Sequence, residues 1–217
     1  MPHGLFITLD GIDGTGKSTQ AERLATRLLE TDKRPVVLTR EPGGSAGAEA
    51  IRQLLVTGEP GRWSPITEAL LFTAARRDHV ERIIQPALGR GEIVICDRFI
   101  DSTRAYQGVH DTVEAELVDG LHRLSIGLEP DLTLILDLSA EIALSRTGTR
   151  QSPEDRFEKK GLAFQSALRQ RFLDIAKAAP ERCRVVDALG SQATVAERVW
   201  AAAAPVLASR DERDGGP

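Results

Sequence analysis

A chain of 217 residues, 41% of them hydrophobic, is long enough to bury one sizeable core and reads as a single domain. A net charge of −4 argues against a nucleic-acid coat, and without a charged-then-apolar leader or an apolar stretch of bilayer length the sequence reads as cytoplasmic, with no membrane partner. The two cysteines, Cys96 and Cys183, both fall in apolar strand-like runs, as buried free thiols of a reducing compartment do; no disulfide is expected.

The first apolar run, residues 5–9, is followed by Gly11-Ile12-Asp13-Gly14-Thr15-Gly16-Lys17-Ser18, which fits G-x-x-x-x-G-K-[ST]. Beyond it Ala21, Leu24, Ala25, Leu28 and Leu29 recur at the helical period and are assigned to one buried face. Strand, glycine-rich loop and helix in that order make a phosphate-binding loop. Its glycines let the backbone wrap closely around an anion, amide N–H groups and the positive helix end meet the phosphates, and Lys17 reaches between the β- and γ-phosphates. Ser18 then supplies a hydroxyl to Mg2+. The alternative is a glycine-rich turn that merely caps a helix.

A second run, residues 36–39, leads into Arg40-Glu41-Pro42-Gly43-Gly44. A helix predicted over residues 65–88 carries Phe72 and Arg76 four residues apart, so both project from one face. An aromatic ring and a guanidinium on one face suit a flat, hydrogen-bonding ring; the plainer reading puts Phe72 in the core and Arg76 on the surface. The third run, residues 93–96, delivers Asp97 and Arg98 together, resembling a Walker B element in which Asp97 faces Mg2+ opposite Ser18 and Arg98 faces a second phosphate. A structural Asp–Arg pair is the alternative. Tyr106, the sole tyrosine, follows shortly.

The fourth run, residues 132–136, precedes a helix and then a segment in which Arg146, Arg150 and Arg156 are separated by Gly148 and Pro153, the pattern of a lid over about residues 146–156 that closes on phosphates. A solvated basic loop is the alternative. The fifth run is residues 184–186. Asp10, Arg40, Asp97, Asp137 and Asp187 each follow a run, and ligands of open α/β sheets bind beyond that edge, so two or three of the five are expected to be functional and the rest to cap turns or helices. Short strands alternating with helices predict an α/β fold of the P-loop NTPase kind, a five-stranded parallel sheet covered on both faces. The domain is expected to span residues 1–208, and the charged then glycine-rich residues 209–217 read as a disordered tail. No pair among His3, His79, His110 and His122 has metal-ligand spacing.

Together these segments resemble the thymidylate kinase family, which moves a phosphoryl group from ATP to dTMP. The resemblance runs from Leu5 to about Ala196 and rests on the order of its pieces: the loop from Gly11 to Thr19, Thr39-Arg40-Glu41-Pro42-Gly43-Gly44, Phe72-Thr73-Ala74-Ala75-Arg76, Asp97-Arg98, Ser102-Thr103, Ala105-Tyr106-Gln107-Gly108, Pro130-Asp131-Leu132-Thr133 and Asp155-Arg156-Phe157-Glu158. The Arg-Glu-Pro-Gly-Gly and Ala-Tyr-Gln-Gly elements are far more specific than the glycine loop.

The resemblance implies ATP on Gly11, Ile12, Asp13, Gly14, Thr15, Gly16, Lys17, Ser18 and Thr19, with Arg146 against adenine and the loop after Asp187 completing that pocket. It implies dTMP held by Asp13, Arg40, Phe72, Arg76, Arg98, Thr103, Tyr106 and Gln107. In that arrangement Phe72 stacks on thymine, Arg76 bonds a base oxygen, Arg40 and Arg98 hold the phosphate, and Tyr106 crowds the 2′ position of the sugar. The family draws its catalytic arginine from the phosphate loop or from the lid; Gly14 here leaves Arg150 and Arg156, beside Lys17, Asp13 and Arg98, as the catalytic set. Mg2+ as cofactor, through Ser18 and Asp97, and a homodimer are implied as well. Two alternatives stay open: another nucleoside monophosphate or deoxynucleoside kinase on this fold, and a P-loop switch that senses nucleotide without an acceptor.

Overall fold

The computed structural model describes residues 4–59, 61–109, 115–147 and 161–214. Five strands, β1 (Leu5–Asp10), β2 (Val36–Arg40), β3 (Ile93–Asp97), β4 (Leu132–Asp137) and β5 (Cys183–Asp187), form one sheet in the order β2-β3-β1-β4-β5. Every pairing is parallel. All five apolar runs are therefore strands, and each strand continues into the charged residue that follows its run. Register sets Leu9 and Arg40 beside Asp97 and Asp137 beside Asp187, so these ends share one edge with β1 in the middle.

The helices are α1 (Lys17–Thr31), α2 (Ala46–Val56), α3 (Pro65–His79), α4 (Gln85–Gly89), α5 (Ile100–Gly108), α6 (Ala115–Ser125), α7 (Ala140–Thr147), α8 (Gly161–Ala178) and α9 (Gln192–Asp214). They cover both faces because the central strands are apolar on both. Within β1, Leu5, Ile7 and Leu9 join a cluster with residues of α1, α8 and α9, while Phe6 points the other way into a cluster with Val80, Ile84 and Phe99. At about 25 cal/mol per Å2 of apolar surface removed from water, this two-sided burial is the main force holding the sheet in place.

Ser64 caps α3 by accepting from the Thr67 amide at 3.2 Å, with Pro65 in the first turn, and Ser45 caps α2 in the same way. The helix predicted over residues 65–88 is continuous but not uniform. A π-helical turn, Val80–Ile84, joins α3 to α4. Pro86 follows it; proline has no amide proton and its ring crowds the carbonyl four residues back, and the wider turn relieves that crowding.

Two expectations change. Ala21, Leu24, Ala25 and Leu28 are buried as the period required, but Leu29 is 63% exposed, since it lies at the margin of the face they define. Helix α9 passes through Pro205 and runs to Asp214, beyond the start of the tail read at residue 209, because the residues from 209 to 214 contain no glycine to end it. Cys96 and Cys183 are buried free thiols.

Candidate active site

The carboxyl end of β1 opens into the phosphate loop. Gly11, Gly14 and Gly16 have φ of 135°, 85° and 93°, in the left-handed region. Gly14 is fixed by space as well: a Cβ there would fall on the carbonyl oxygen of Ala143 in α7. Gly16 caps α1, so the helix begins at Lys17 with its amides facing the loop. Lys17 is buried, with Nζ donating to the Ile12 carbonyl at 2.9 Å and lying 3.6 Å from the Asp13 carboxylate. Burial, then Arg98, push the Lys17 ammonium down, against the opposing pull of Asp13, Asp97 and Asp10. Thr15 Oγ1 closes the loop on the Ile12 carbonyl at 2.9 Å.

Opposite the loop, Ser18 Oγ donates to Asp97 Oδ2 at 2.5 Å, and Asp97 Oδ1 has no hydrogen-bond partner among the described residues. A hydroxyl and an unsatisfied carboxylate oxygen beside a phosphate loop are hard oxygen donors of the kind Mg2+ takes, alongside water and substrate phosphate. No group of three or more His, Cys, Asp or Glu that could hold a metal ion occurs among the described residues.

Arg98 is the single non-glycine residue with positive φ, 70°, among the described residues. Its amide donates to the Leu9 carbonyl at 2.9 Å and its own carbonyl accepts from Cys96 Sγ at 3.0 Å. That turn aims the guanidinium back over the loop. Nη1 donates to the Gly11 carbonyl at 3.0 Å and to Ser102 Oγ at 2.9 Å, and Nη2 donates to Asp13 Oδ1 and, at 3.3 Å, to the Tyr106 hydroxyl. Tyr106 donates to Asp13 Oδ2 at 2.9 Å. Burial raises the Asp13 carboxyl, but Arg98 and Lys17 outweigh it and hold it well below the usual carboxylate range. Burial pushes the Tyr106 phenol up, with Asp13 adding to the effect, so it stays a donor. Asp13 is thus a fixed anion where loop, Arg98 and Tyr106 meet.

From this junction a cavity of about 270 Å3 extends toward α3 and α5. It is lined by Asp13, Lys17 and Ser18 of the loop and the start of α1, by Arg40, Asp97 and Arg98 at the strand ends, by Phe72 and Arg76 of α3, and by Thr103 and Tyr106 of α5. Arg76 is 2% exposed, donating from Nε to Glu41 Oε2 at 2.7 Å and from Nη2 to Thr103 Oγ1 at 3.0 Å, so the surface reading of this residue is excluded. Phe72 is half-buried on the cavity wall. Arg40 is largely exposed and pairs with Glu49 at 3.0 Å.

The family model described as Thymidylate kinase matches residues 9–199. The chain belongs to the thymidylate kinase family. It is 60% identical over 198 residues to the thymidylate kinase of Dinoroseobacter shibae, covering 91% of this chain and 95% of that one. It is 57% identical over 184 residues to that of Ruegeria pomeroyi, covering 85% and 87%. The crystal structure of thymidylate kinase from Ehrlichia chaffeensis superposes with a TM-score of 0.73 at 39% identity, over 91% of this chain and 97% of that chain.

Within this family member the remaining sequence-derived residues are distributed as follows. Gly11, Ile12 and Thr15 build the loop without lining the cavity, and Thr19 lines it. Arg146 lies in the last turn of α7, not in a loop, with Nη1 3.4 Å from the Gly14 carbonyl. Gln107 is buried a full turn beyond Thr103 on α5 and does not line the cavity. Arg150 and Arg156, with the rest of the lid from residue 148, lie outside the described residues. At the sheet edge, Asp137 accepts two bonds from Arg169, and Asp187 caps a turn at the Leu189 amide, so these two strand-end carboxylates are structural.

Sequence reasoning missed two contributions, from α2 and from Asp101, and left the role of a third residue, the strand-end Asp10, open. Arg52 and Val56, one turn apart on α2, line the cavity, and Arg52 Nη1 donates to the Pro42 carbonyl at 2.7 Å; their i,i+4 spacing beside the Arg-Glu-Pro-Gly-Gly segment was the available signal. Asp10 is fully buried and accepts from Ser102 Oγ at 2.5 Å, which makes it the support of the hydroxyl that Arg98 uses. Asp101 is also fully buried and is gripped by Arg182 through two bonds of 2.5 and 2.9 Å, by Arg104 at 3.1 Å and by Thr133 at 3.2 Å. This ties α5, the helix carrying Ser102, Thr103 and Tyr106, to β4 and to the turn before β5.

Proposed function

We propose that the protein transfers the γ-phosphoryl group of ATP to dTMP, giving dTDP and ADP. The observation that carries this reading is the continuity of the cavity. A phosphate loop with a buried lysine lies at one end, an aromatic–guanidinium pair suited to a flat base at the other, and Asp13, Arg98 and Tyr106 where an acceptor's sugar and phosphate would meet the donor. ATP phosphates rest on the amides from Gly11 to Thr19, and dTMP lies along Phe72, Arg76, Thr103, Tyr106 and Arg98, with Arg40 and Gln107 contributing from the rim and from the interior.

Transfer is direct and in line. The acceptor phosphate is already ionised at neutral pH, so the attack needs no strong general base. Lys17 and Arg98 offset the charge that spreads over the transferred oxygens, and the lid arginines Arg150 and Arg156 add to this, since Gly14 leaves no arginine within the loop. Ser18 and Asp97 are the residues that would hold Mg2+. When bound, that ion supplies further neutralisation and orientation of phosphate oxygens. Tyr106, held rigidly by Asp13, disfavours a 2′-hydroxyl by crowding. An apolar pocket for the thymine methyl is worth about 1–3 kcal/mol, roughly 10- to 200-fold, so slow turnover of dUMP is part of the proposal.

We also propose a homodimer, closed by the packed pair of helices α2 and α3, which carry the exposed apolar residues Leu54, Ile66 and Leu70. The two buried free thiols suit a cytoplasmic protein, and no helix among the described residues is long and apolar enough to cross a membrane.

The test is ADP release from ATP and Mg2+ with dTMP, dUMP, dGMP, AMP, UMP, thymidine or no acceptor. Fast release with dTMP and slow release with dUMP is the expected result. Preference for another monophosphate overturns the base-pocket assignments while keeping the phosphate chemistry. Release that needs no acceptor overturns the kinase reading in favour of a switch.

A further inference from the structure

His79 ends α3 one turn after Arg76, is fully buried, and lines no part of the cavity. Its two ring nitrogens are both engaged. Nδ1 lies 3.1 Å from Glu41 Oε1, and Nε2 lies 2.7 Å from Thr39 Oγ1. The other oxygen of the same carboxylate, Glu41 Oε2, accepts from Arg76 Nε at 2.7 Å. A carboxylate only accepts, so Nδ1 must carry the proton toward Glu41, and in the neutral ring Nε2 then accepts from the Thr39 hydroxyl. The hydrogen bonds join Thr39, His79, Glu41, Arg76 and Thr103 in one chain, with His79 and Arg76 converging on the Glu41 carboxylate.

The backbone is shaped around this chain. Gly44 has φ of 87°, and a Cβ there would meet His79 Nε2 and Thr39 Oγ1 directly, so the second glycine of the Arg-Glu-Pro-Gly-Gly segment is needed for the histidine to reach the threonine. The π-helical turn begins at the next residue, Val80, and Arg76 and His79, three apart, share the face of α3 that meets the end of β2. With Nε and Nη2 of Arg76 taken up by Glu41 and Thr103, the guanidinium plane is fixed on a residue that lines the cavity, and Nη1 enters neither bond.

We infer that His79 is a positioning residue for acceptor specificity: it orients Glu41, which orients Arg76 toward the base. A guanidinium held at two points loses little freedom when it bonds a ligand, whereas one with a mobile carboxylate beside it turns onto that carboxylate and away from the base. The inference rests on the proposed dTMP reading and deepens it, since His79 touches no substrate and acts through Glu41.

Steady-state kinetics of His79→Leu, His79→Asn and Thr39→Val test this, with dTMP and ATP varied separately and thermal melting recorded for each variant. Leu removes both bonds. Asn retains a donor able to reach Glu41 but not the link to Thr39. Thr39→Val keeps shape and removes only the hydroxyl. The expected result is a KM for dTMP raised about tenfold in His79→Leu, as for loss of a hydrogen bond to a charged group, with KM for ATP within about twofold of wild type. His79→Asn and Thr39→Val fall between. An unchanged KM for dTMP in Thr39→Val and in folded His79→Leu overturns the inference, as does His79→Asn behaving like His79→Leu. A parallel loss of kcat, of both KM values and of melting temperature also overturns it, since that pattern belongs to a purely structural histidine. If wild-type protein itself shows no preference for dTMP, the functional reading fails, and the two failures are thereby told apart.

Discussion

Asp10→Asn isolates the energetic cost of a buried charge next to the phosphate loop. Asp10 is fully buried at the end of β1; Oδ1 accepts from Ser102, and Oδ2 has no hydrogen-bond partner among the described residues. Burial, with Asp101 adding to it, pushes its carboxyl from the ordinary 3.8 up to about 6, against the opposing pull of Ser102, Arg98 and Lys17. A carboxyl whose pKa rises on folding binds its proton more tightly in the folded state, so stability is fully present below about pH 4 and declines as pH rises through about 6. At 1.36 kcal/mol per unit, the shift amounts to about 3 kcal/mol by pH 8, about half of it accruing between pH 5 and 8. Asparagine keeps an oxygen for Ser102 and carries no charge. The melting temperature of Asp10→Asn relative to wild type should therefore rise by roughly 3–6 °C between pH 5 and pH 8, at about 2–4 °C per kcal/mol for a chain of this size. Calorimetric or fluorescence melts at constant ionic strength read this directly, and titrating groups distant from Asp10, common to both proteins, cancel in the difference. A difference that stays constant across that range would mean that Asp10 titrates in the ordinary carboxylate range, and the argument from burial would fail.

Lys17→Ala should abolish phosphoryl transfer while circular dichroism still shows the folded protein, because the side chain's contact with the Ile12 carbonyl holds one loop and not the core; retained turnover would remove Lys17 from the chemistry. Tyr106→Ala should raise kcat/KM for UMP relative to dUMP by opening the space held by a phenol anchored to Asp13 at 2.9 Å, and an unchanged ratio in paired assays would remove Tyr106 from the sugar pocket. Arg150→Ala should lower kcat by a factor on the order of 10^3 while changing ATP binding little, as for a charge used in the transition state; a kinetically silent variant, measured by single turnover, would move that role to Arg156 or Arg146.

What could be read from the sequence divides along a physical line. The phosphate loop was legible because its function resides in backbone amides, and the glycines that permit that backbone, Gly11, Gly14 and Gly16, fall close together in the chain. The five strands were legible because parallel strands buried on both faces are short apolar runs. The far end of the cavity was legible only through resemblance: Phe72 and Arg76 announce a shared helix face, but nothing local says that Arg76 is buried on Glu41, 35 residues away. The burial of Asp101 was invisible for the same reason, since Arg182, which makes two of its bonds, lies 81 residues on, and a charged residue in a helix is by default expected to face solvent. Leu29 was misplaced because a periodic pattern fixes the direction of an apolar stripe better than its width.

Arg98 shows how these parts depend on one another. A non-glycine residue at positive φ costs on the order of 1–3 kcal/mol and persists where its surroundings over-determine it. Here the surroundings do: its amide is bound to β1, its carbonyl accepts from Cys96, and its guanidinium donates to the Gly11 carbonyl, Ser102, Asp13 and Tyr106. An ordinary extended residue at the end of β3 would continue the strand direction and send its side chain away from the loop. The left-handed turn brings the guanidinium onto the phosphate loop itself, so the cation proposed for the acceptor phosphate is held by a carbonyl and a carboxylate of the loop proposed for the donor. Donor and acceptor sites are in this sense one hydrogen-bonded unit, whereas the base end of the cavity is oriented by a separate chain through Glu41 and His79. On the proposed reading, phosphate chemistry and base recognition therefore respond to different substitutions, the first to those at Asp13, Arg98 and their supports Ser102 and Asp10, the second to those at Glu41 and His79.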